Sequence, residues 1–198
     1  MAFPTTVQPK SISFSSNRPN SISYTLSGKR SVRQFASQYF SFSVTMPPMT
    51  KSVFQVYSAF LISKKGGFTT FNFAYPIDNL GANRTSTSVK TRTTHAVGST
   101  AIAIDGLSAS TNDVIKGGDL IKFNGHTKVY LVVGDVNSNG AGQGTVTVEP
   151  PLQSALVNNE VLVLNRPNIN VALLQDDILY STDASQMFYL NFDVREVL

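Results

Sequence analysis

Cysteine does not occur in this chain. Disulfides, thiolate metal ligands and cysteine nucleophiles are thereby excluded, and nothing points to an oxidising compartment. Tryptophan is absent too, and ring-stacking sites for sugars more often use it. Charge is scarce at 14% of residues, so much of the surface must be Ser, Thr and Asn. No apolar run approaches the roughly 20 residues that span a bilayer. The opening MAFPTTVQPK lacks the basic and apolar regions of a secretion signal. These absences describe a soluble chain made in the cytoplasm, with no membrane partner.

What is present is globular. Hydrophobic residues make up 41% of the chain, with thirteen Phe and seven Tyr supplying bulk, and 198 residues suffice for one ordinary domain or two small ones. Residues 1–95 hold eleven Lys/Arg and one acid, whereas residues 96–198 hold five and eleven. That split suits an acidic partner or nucleic acid, and also identical subunits packed head to tail, basic patch on acidic patch. The dispersal of the positive charges favours the second. Lys29, Arg30 and Arg33 form the main basic cluster and are the candidate subunit contact, with Asp176, Asp177 and Asp183 as its acidic partners.

Short alternating stretches open the chain: Ser11–Ser15 and Ser21–Leu26 read as two strands with a turn at NRPN between them. In Gln38–Met46 the pattern puts Phe40, Phe42, Val44 and Met46 on one face, the clearest half-buried strand. One helix is predicted, Thr50–Ser63, with Thr50 as cap and Val53, Val56, Tyr57, Phe60 and Leu61 on its core face. Lys64 and Lys65 suit its C-terminal end, and Gly66 or Gly67 its stop. A strand at Phe68–Pro76 follows, and then the polar, Thr-rich stretch 77–100 marks a boundary or an exposed hairpin arm. Short strands with turn signals every 8–15 residues then suit a small barrel or a five-stranded sandwich. Within it Asn124–Gly125 is a dipeptide favoured where φ must be positive. The ending MFYLNFDVREVL alternates strongly and calls for an aromatic partner face, which Phe40, Phe42, Phe71 and Phe73 supply. The expected fold class is therefore mainly β. Residues 1–82 and 166–198 form a discontinuous β-sandwich with one α-helix, and residues 83–165 an inserted small barrel.

Chemistry is thin. The two histidines, His95 and His126, lack neighbouring acids in sequence, and His126 sits at a turn. Asp176 and Asp177 are adjacent and would point to opposite faces of a strand, so they cannot flank one bond; a turn is their expected use. GAGQG at Gly140–Gly144 leads into a strand, whereas a phosphate loop needs a helix there. Lys116, Lys122, Lys128 and Tyr130 are the residues a nucleic-acid-binding barrel could use, but Tyr130 and Phe123, the only aromatics of residues 96–165, lie on strand faces that also need core. No catalytic residue, metal or cofactor is expected.

The run Lys116–Tyr130 with GDLIKF and HTKVY, EPPL at Glu149–Leu152, SGKRSVRQ before a strand ending in MPPMT, GGFTTFNFAYP and the final FDVREVL together resemble the distal tail proteins of long-tailed bacteriophages. The resemblance implies a structural virion protein in the tail tip, not an enzyme. A β-sandwich with one helix would form a homo-oligomeric ring, usually of six copies, joining the tail tube protein to the baseplate hub protein. An oligonucleotide-binding-type (OB-like) barrel would project from it. Nucleic acid would enter only as DNA passing through the channel. Lacking the large second domain of bigger members, this chain is not expected to recognise the host directly. The alternative is a carbohydrate- or single-stranded nucleic-acid-binding module.

Overall fold

The computed structural model describes residues 2–34 and 37–198. It is mainly β, 39% strand against 8% helical. In chain order the strands are β1 (Ser11–Asn17), β2 (Asn20–Tyr24), β3 (Arg30–Gln34), β4 (Tyr39–Thr45), β5 (Phe71–Ala74), β6 (Lys90–Thr91), β7 (Ala101–Asp105), β8 (Leu120–Phe123), β9 (Val129–Val132), β10 (Gly144–Glu149), β11 (Leu162–Val163), β12 (Asn168–Leu173), β13 (Tyr180–Thr182) and β14 (Phe188–Glu196), with helix α1 at Lys51–Ile62. The chain divides into two compact units, one of residues 3–71 with 171–198 and one of residues 72–170.

The first unit is organised by one long hairpin. β1 pairs with β4 antiparallel from Ser11↔Thr45 to Asn17↔Tyr39, and β2 pairs with β3 from Asn20↔Gln34 to Tyr24↔Arg30. NRPN is therefore not a turn between two paired strands. Pro19 cannot donate to a ladder and interrupts one side of a hairpin that then continues outward. β14 runs beside β4, with Phe192↔Val44 and Val194↔Phe42, giving the order β1-β4-β14-β12-β5, and β13 also pairs with β14. The aromatic partner face expected for β14 is thus partly built side by side with it, since Phe40 and Phe42 lie on the neighbouring strand of the same sheet. Alternation holds: Phe40, Phe42, Val44 and Met46 are all buried, as are Leu190, Phe192 and Val194.

Helix α1 buries Phe54, Tyr57, Phe60 and Leu61, while Val56 is exposed. The core-facing stripe is rotated from the predicted one toward Phe54, whose ring stacks on Phe188 with centroids 4.6 Å apart. Phe3 joins the same cluster, against Tyr57, Phe60, Phe71 and Phe192. Thr50 stands at the cap position, yet its hydroxyl lies 3.2 Å from Ser52 Oγ and makes no bond to the helix backbone. The left-handed stop begins one residue early, at Lys65 (φ 55°), and continues through Gly66 (φ 65°). Lys64 is buried, its ammonium 4.5 Å from the Phe60 ring centroid.

The second unit is a nearly closed, barrel-like sheet of six strands in the order β11-β8-β9-β10-β7-β6. Its ends meet through a Lys90↔Val161 bridge, where the Thr91 N–H donates to Glu160 O and the Leu162 N–H to Val89 O, both at 2.9 Å. Inside lie Val89, Ile102, Ile104, Ile121, Phe123, Tyr130, Val132, Val146 and Val148. The Thr-rich stretch supplies β6 and closes the sheet. Thr91 is fully buried, donating to Val157 O at 2.6 Å and accepting from the Glu160 N–H at 2.9 Å.

Residues 78–81 also pack in this unit. Asn79 Nδ2 donates to Leu120 O and Leu164 O at 2.7 and 2.6 Å. The buried Asp119 carboxylate accepts from Leu80, Gly81 and Lys116 N–H at 2.8, 3.1 and 3.0 Å. Asp78 and Arg166 form a two-pronged ion pair at 2.7 and 3.2 Å. Hydrogen bonds from Asn165 and Arg166 hold the Asp78 carboxyl below its ordinary range.

Candidate functional surfaces

The outer half of the long hairpin is an arm. Thr25 and Lys29 close its tip with a backbone bond at 3.0 Å, around a loop whose third residue, Gly28, has φ 77°. Only a residue without a Cβ reaches that conformation at no steric cost. Side chains alternate along paired strands, so Ile22, Tyr24, Arg30 and Val32 share one face, with Ile22 directly opposite Val32, and Ser21, Ser23, Ser31 and Arg33 share the other. Every residue of β2 and β3 is exposed. Tyr24 is 69% accessible, Ile22 49%, Val32 47%, and Leu26 at the tip is fully open. A two-stranded hairpin is at best marginally stable by itself in water. An arm with an uncovered apolar face therefore gains most from a surface that covers it.

The predicted basic cluster sits on this arm. Lys29, Arg30 and Arg33, with Arg18 at its base, are exposed, and residues 3–71 hold eight Lys/Arg and no acid. Its predicted acidic counterparts lie at the other end of the same unit. Asp176 and Asp177 are exposed in the bend after β12, with Leu174 before them and Leu179 and Tyr180 after, all three open to solvent. Residues 171–198 carry five acids against one Arg. Asp183 is also exposed, but its carboxylate is used locally: it accepts from the Met187 N–H at 3.0 Å and the Tyr189 hydroxyl at 2.9 Å, within the turn joining β13 to β14. Those two bonds hold its carboxyl below the ordinary range and push the Tyr189 hydroxyl up. It remains an anion, but one positioned by its own turn.

A second surface lies on the second unit. A cleft of about 510 Å³ runs between the β8–β9 loop and residues 154–161, lined by Asn124, His126, Ser154, Val157, Asn159 and Glu160 among others. The His126 and Glu160 side chains are 5% and 10% accessible, and His126 Nε2 stands 3.9 Å from Glu160 Oε1. Both ring nitrogens face internal groups: Nδ1 is 3.4 Å from the Tyr130 hydroxyl and Nε2 is 3.4 Å from Ala155 O. Glu160 accepts from the Gly125 N–H at 2.9 Å and the Val157 N–H at 3.3 Å. This arrangement shapes two loops. His95 is likewise engaged internally, accepting at Nε2 from the Ala103 N–H at 3.2 Å.

The remaining sequence candidates are dispersed. Phe123 and Tyr130 are fully buried in the core of the barrel-like sheet, so neither ring can stack on a base. Lys128 is 2% accessible, and Lys122 Nζ donates to Asn168 O at 2.9 Å. Lys116 pairs with Asp113 and Asp135 at 2.9 and 3.1 Å, which raises the lysine's pKa. Gly140–Gly144 leads directly into β10, with no helix to bind phosphate. Asp119 and Asn79, the polar centre of the second unit, were missed. No local motif marks them, since both are satisfied by backbone groups distant along the chain.

No family model matches this chain, and no curated protein matches it.

Proposed function

We propose that this protein is a structural, non-enzymatic virion component of a phage tail tip. It forms a homo-oligomeric ring, of six copies, that connects the tail tube protein to the baseplate hub protein, and it is made in the host cytoplasm. The observation that carries the reading is the uncovered arm with its exposed Lys29, Arg30 and Arg33, together with the exposed Asp176 and Asp177 elsewhere in the same unit. A body that carries an apolar, positively charged projection at one end and exposed Leu174, Leu179, Tyr180, Asp176 and Asp177 at the other has matching halves for a neighbour of its own kind. Repeated head-to-tail contacts close into a ring when the rotation per step allows. The first unit is read as the sandwich-type ring former. The second is read as a small OB-like barrel, with a sixth strand, that projects from it.

Solution mass by light scattering, across a concentration series at low and high salt, tests this. A discrete multiple of 21.5 kDa that weakens with salt is expected, and Arg30→Glu with Arg33→Glu is expected to abolish it. A monomer at every concentration and salt overturns the self-assembling ring.

A second reading rests on the cleft. Its uncharged polar side chains, Asn124, Ser154 and Asn159, beside the Glu160 carboxylate, favour a carbohydrate over single-stranded nucleic acid, because the aromatic rings nearby are in the core. A glycan-array screen of the whole chain distinguishes it, since a ring adaptor requires no small ligand.

A further inference from the structure

Asparagine followed by glycine occurs twice, at Asn124–Gly125 and Asn139–Gly140, both in exposed turns of the second unit. This pair is prone to spontaneous deamidation because glycine, lacking a Cβ, leaves its backbone nitrogen free to approach the preceding side chain. The nitrogen gives up its proton to a base and bonds to the Asn Cγ. The bond from Cγ to Nδ2 breaks and ammonia leaves with that proton. Water then opens the five-membered imide at either carbonyl, giving an aspartyl or isoaspartyl residue. The reaction needs a nitrogen that can turn toward Cγ and a side chain that can turn toward the nitrogen.

The two turns obstruct different halves of it. At Asn139 the side chain is held: its Oδ1 accepts from the Ala141 N–H at 2.9 Å and the Gln143 N–H at 3.0 Å. At Asn124 the nitrogen is held. The Gly125 N–H donates to Glu160 Oε1 at 2.9 Å, and a Cβ built on Gly125 would sit 2.8 Å from that oxygen. Glu160 is itself anchored through its other oxygen to the Val157 N–H and through its own N–H to Thr91 Oγ1. The flanking amides are bound as well, Asn124 N–H to Val161 O at 2.9 Å and His126 N–H to Phe123 O at 3.0 Å.

We infer that Asn124–Gly125 is a latent deamidation site kept closed by Glu160, which holds the attacking nitrogen to a fixed, largely buried carboxylate. Turning the 124–125 peptide toward Cγ breaks that bond to a charged acceptor and leaves the carboxylate short of a partner. If the site opens, the product places a second carboxylate beside Glu160 in the cleft, and like charges there push the two loops apart.

The test incubates the full chain at mildly alkaline pH and follows each site by peptide mass mapping with enzymatic isoaspartate detection. Glu160→Ala is expected to raise the rate at Asn124 on the order of tenfold or more, the scale of one lost charged hydrogen bond, with the Asn139 rate unchanged. Should Glu160→Ala unfold the unit, both sites will accelerate. Glu160→Gln, which keeps a weaker acceptor in the same place, then decides, with a rise of several-fold expected at Asn124 alone. A rate at Asn124 that falls or stays level in Glu160→Gln overturns the inference; a fall would mean that the carboxylate instead takes the proton and promotes the reaction.

Discussion

The arm and the barrel-like sheet are both antiparallel β-structure drawn from Ser-, Thr- and Val-rich sequence, yet they treat apolar side chains in opposite ways. In β7 to β10, Ile102, Ile104, Ile121, Phe123, Val146 and Val148 all turn inward and are fully buried. In β2 and β3, Ile22 and Val32 face each other across the ladder and stay about half exposed. The difference lies in the number of neighbours. Six strands curled until Lys90 meets Val161 enclose an interior, whereas two strands have two faces and no inside. A β pattern in sequence therefore reports which residues share a face, but not whether that face is covered within the chain.

The sharpest way to break this contrast is a cavity in the closed sheet. Phe123→Ala is expected to cost about 3–5 kcal/mol, read as a lower urea midpoint. Next is the anchor of residues 80–81: Asp119→Ala leaves three N–H donors without their acceptor and is expected to cost about 3 kcal/mol, seen as faster hydrogen exchange at Leu80 and Gly81. On the arm, Ile22→Ser with Val32→Ser is expected to cost less than about 1 kcal/mol, because only one half-exposed cross-strand pair is lost, while the proposed assembly is expected to disappear by light scattering. An equal loss of stability in the arm variant and in Phe123→Ala would erase the distinction. The smallest effect concerns Asp183. Its folded carboxyl is held below the unfolded value of about 3.9, so the turn it organises is stabilised above that range and loses the contribution as pH falls through the lowered folded value. Chemical shifts of the Met187 amide and the Tyr189 ring are expected to report that loss, and Asp183→Asn to remove it.

Faces and element positions were legible because burial follows alternation. Phe40, Phe42, Val44 and, on β14, Leu190, Phe192 and Val194 fell where the pattern put them, while Phe188 at the strand's start is only half-buried. Pairing was less so. A Pro-Asn break between two alternating runs usually turns the chain, but here Arg18 and Pro19 continue one hairpin, and only the distant partners β3 and β4 decide that. Asn124–Gly125 was expected to adopt positive φ, yet neither residue is among those that do. The loop between β8 and β9 is longer than two residues, and Glu160, far along the chain, holds the Gly125 amide. Short strands such as β6 carry too little pattern to be seen; Thr91 becomes a core residue only because Val157 and Glu160 satisfy its hydroxyl. The charge split was legible, but its meaning changed once space replaced sequence order. Residues 72–170 hold seven bases and seven acids, so the whole imbalance belongs to the first unit.

The placement of β14 also sets an order of events during synthesis. The second unit is one unbroken stretch, and its strands can find each other while the chain is still emerging. The first unit is centred on a strand that arrives late, since Phe42 and Val44 wait for Val194 and Phe192. Until then β4 lacks its central neighbour, and the acidic residues opposite the arm do not yet exist. A chain interrupted midway would carry a formed second unit and an arm with no acidic counterpart to offer. In the proposed ring, competence to join other copies would be tied to translation reaching β14, and broken chains would not pass the contact onward.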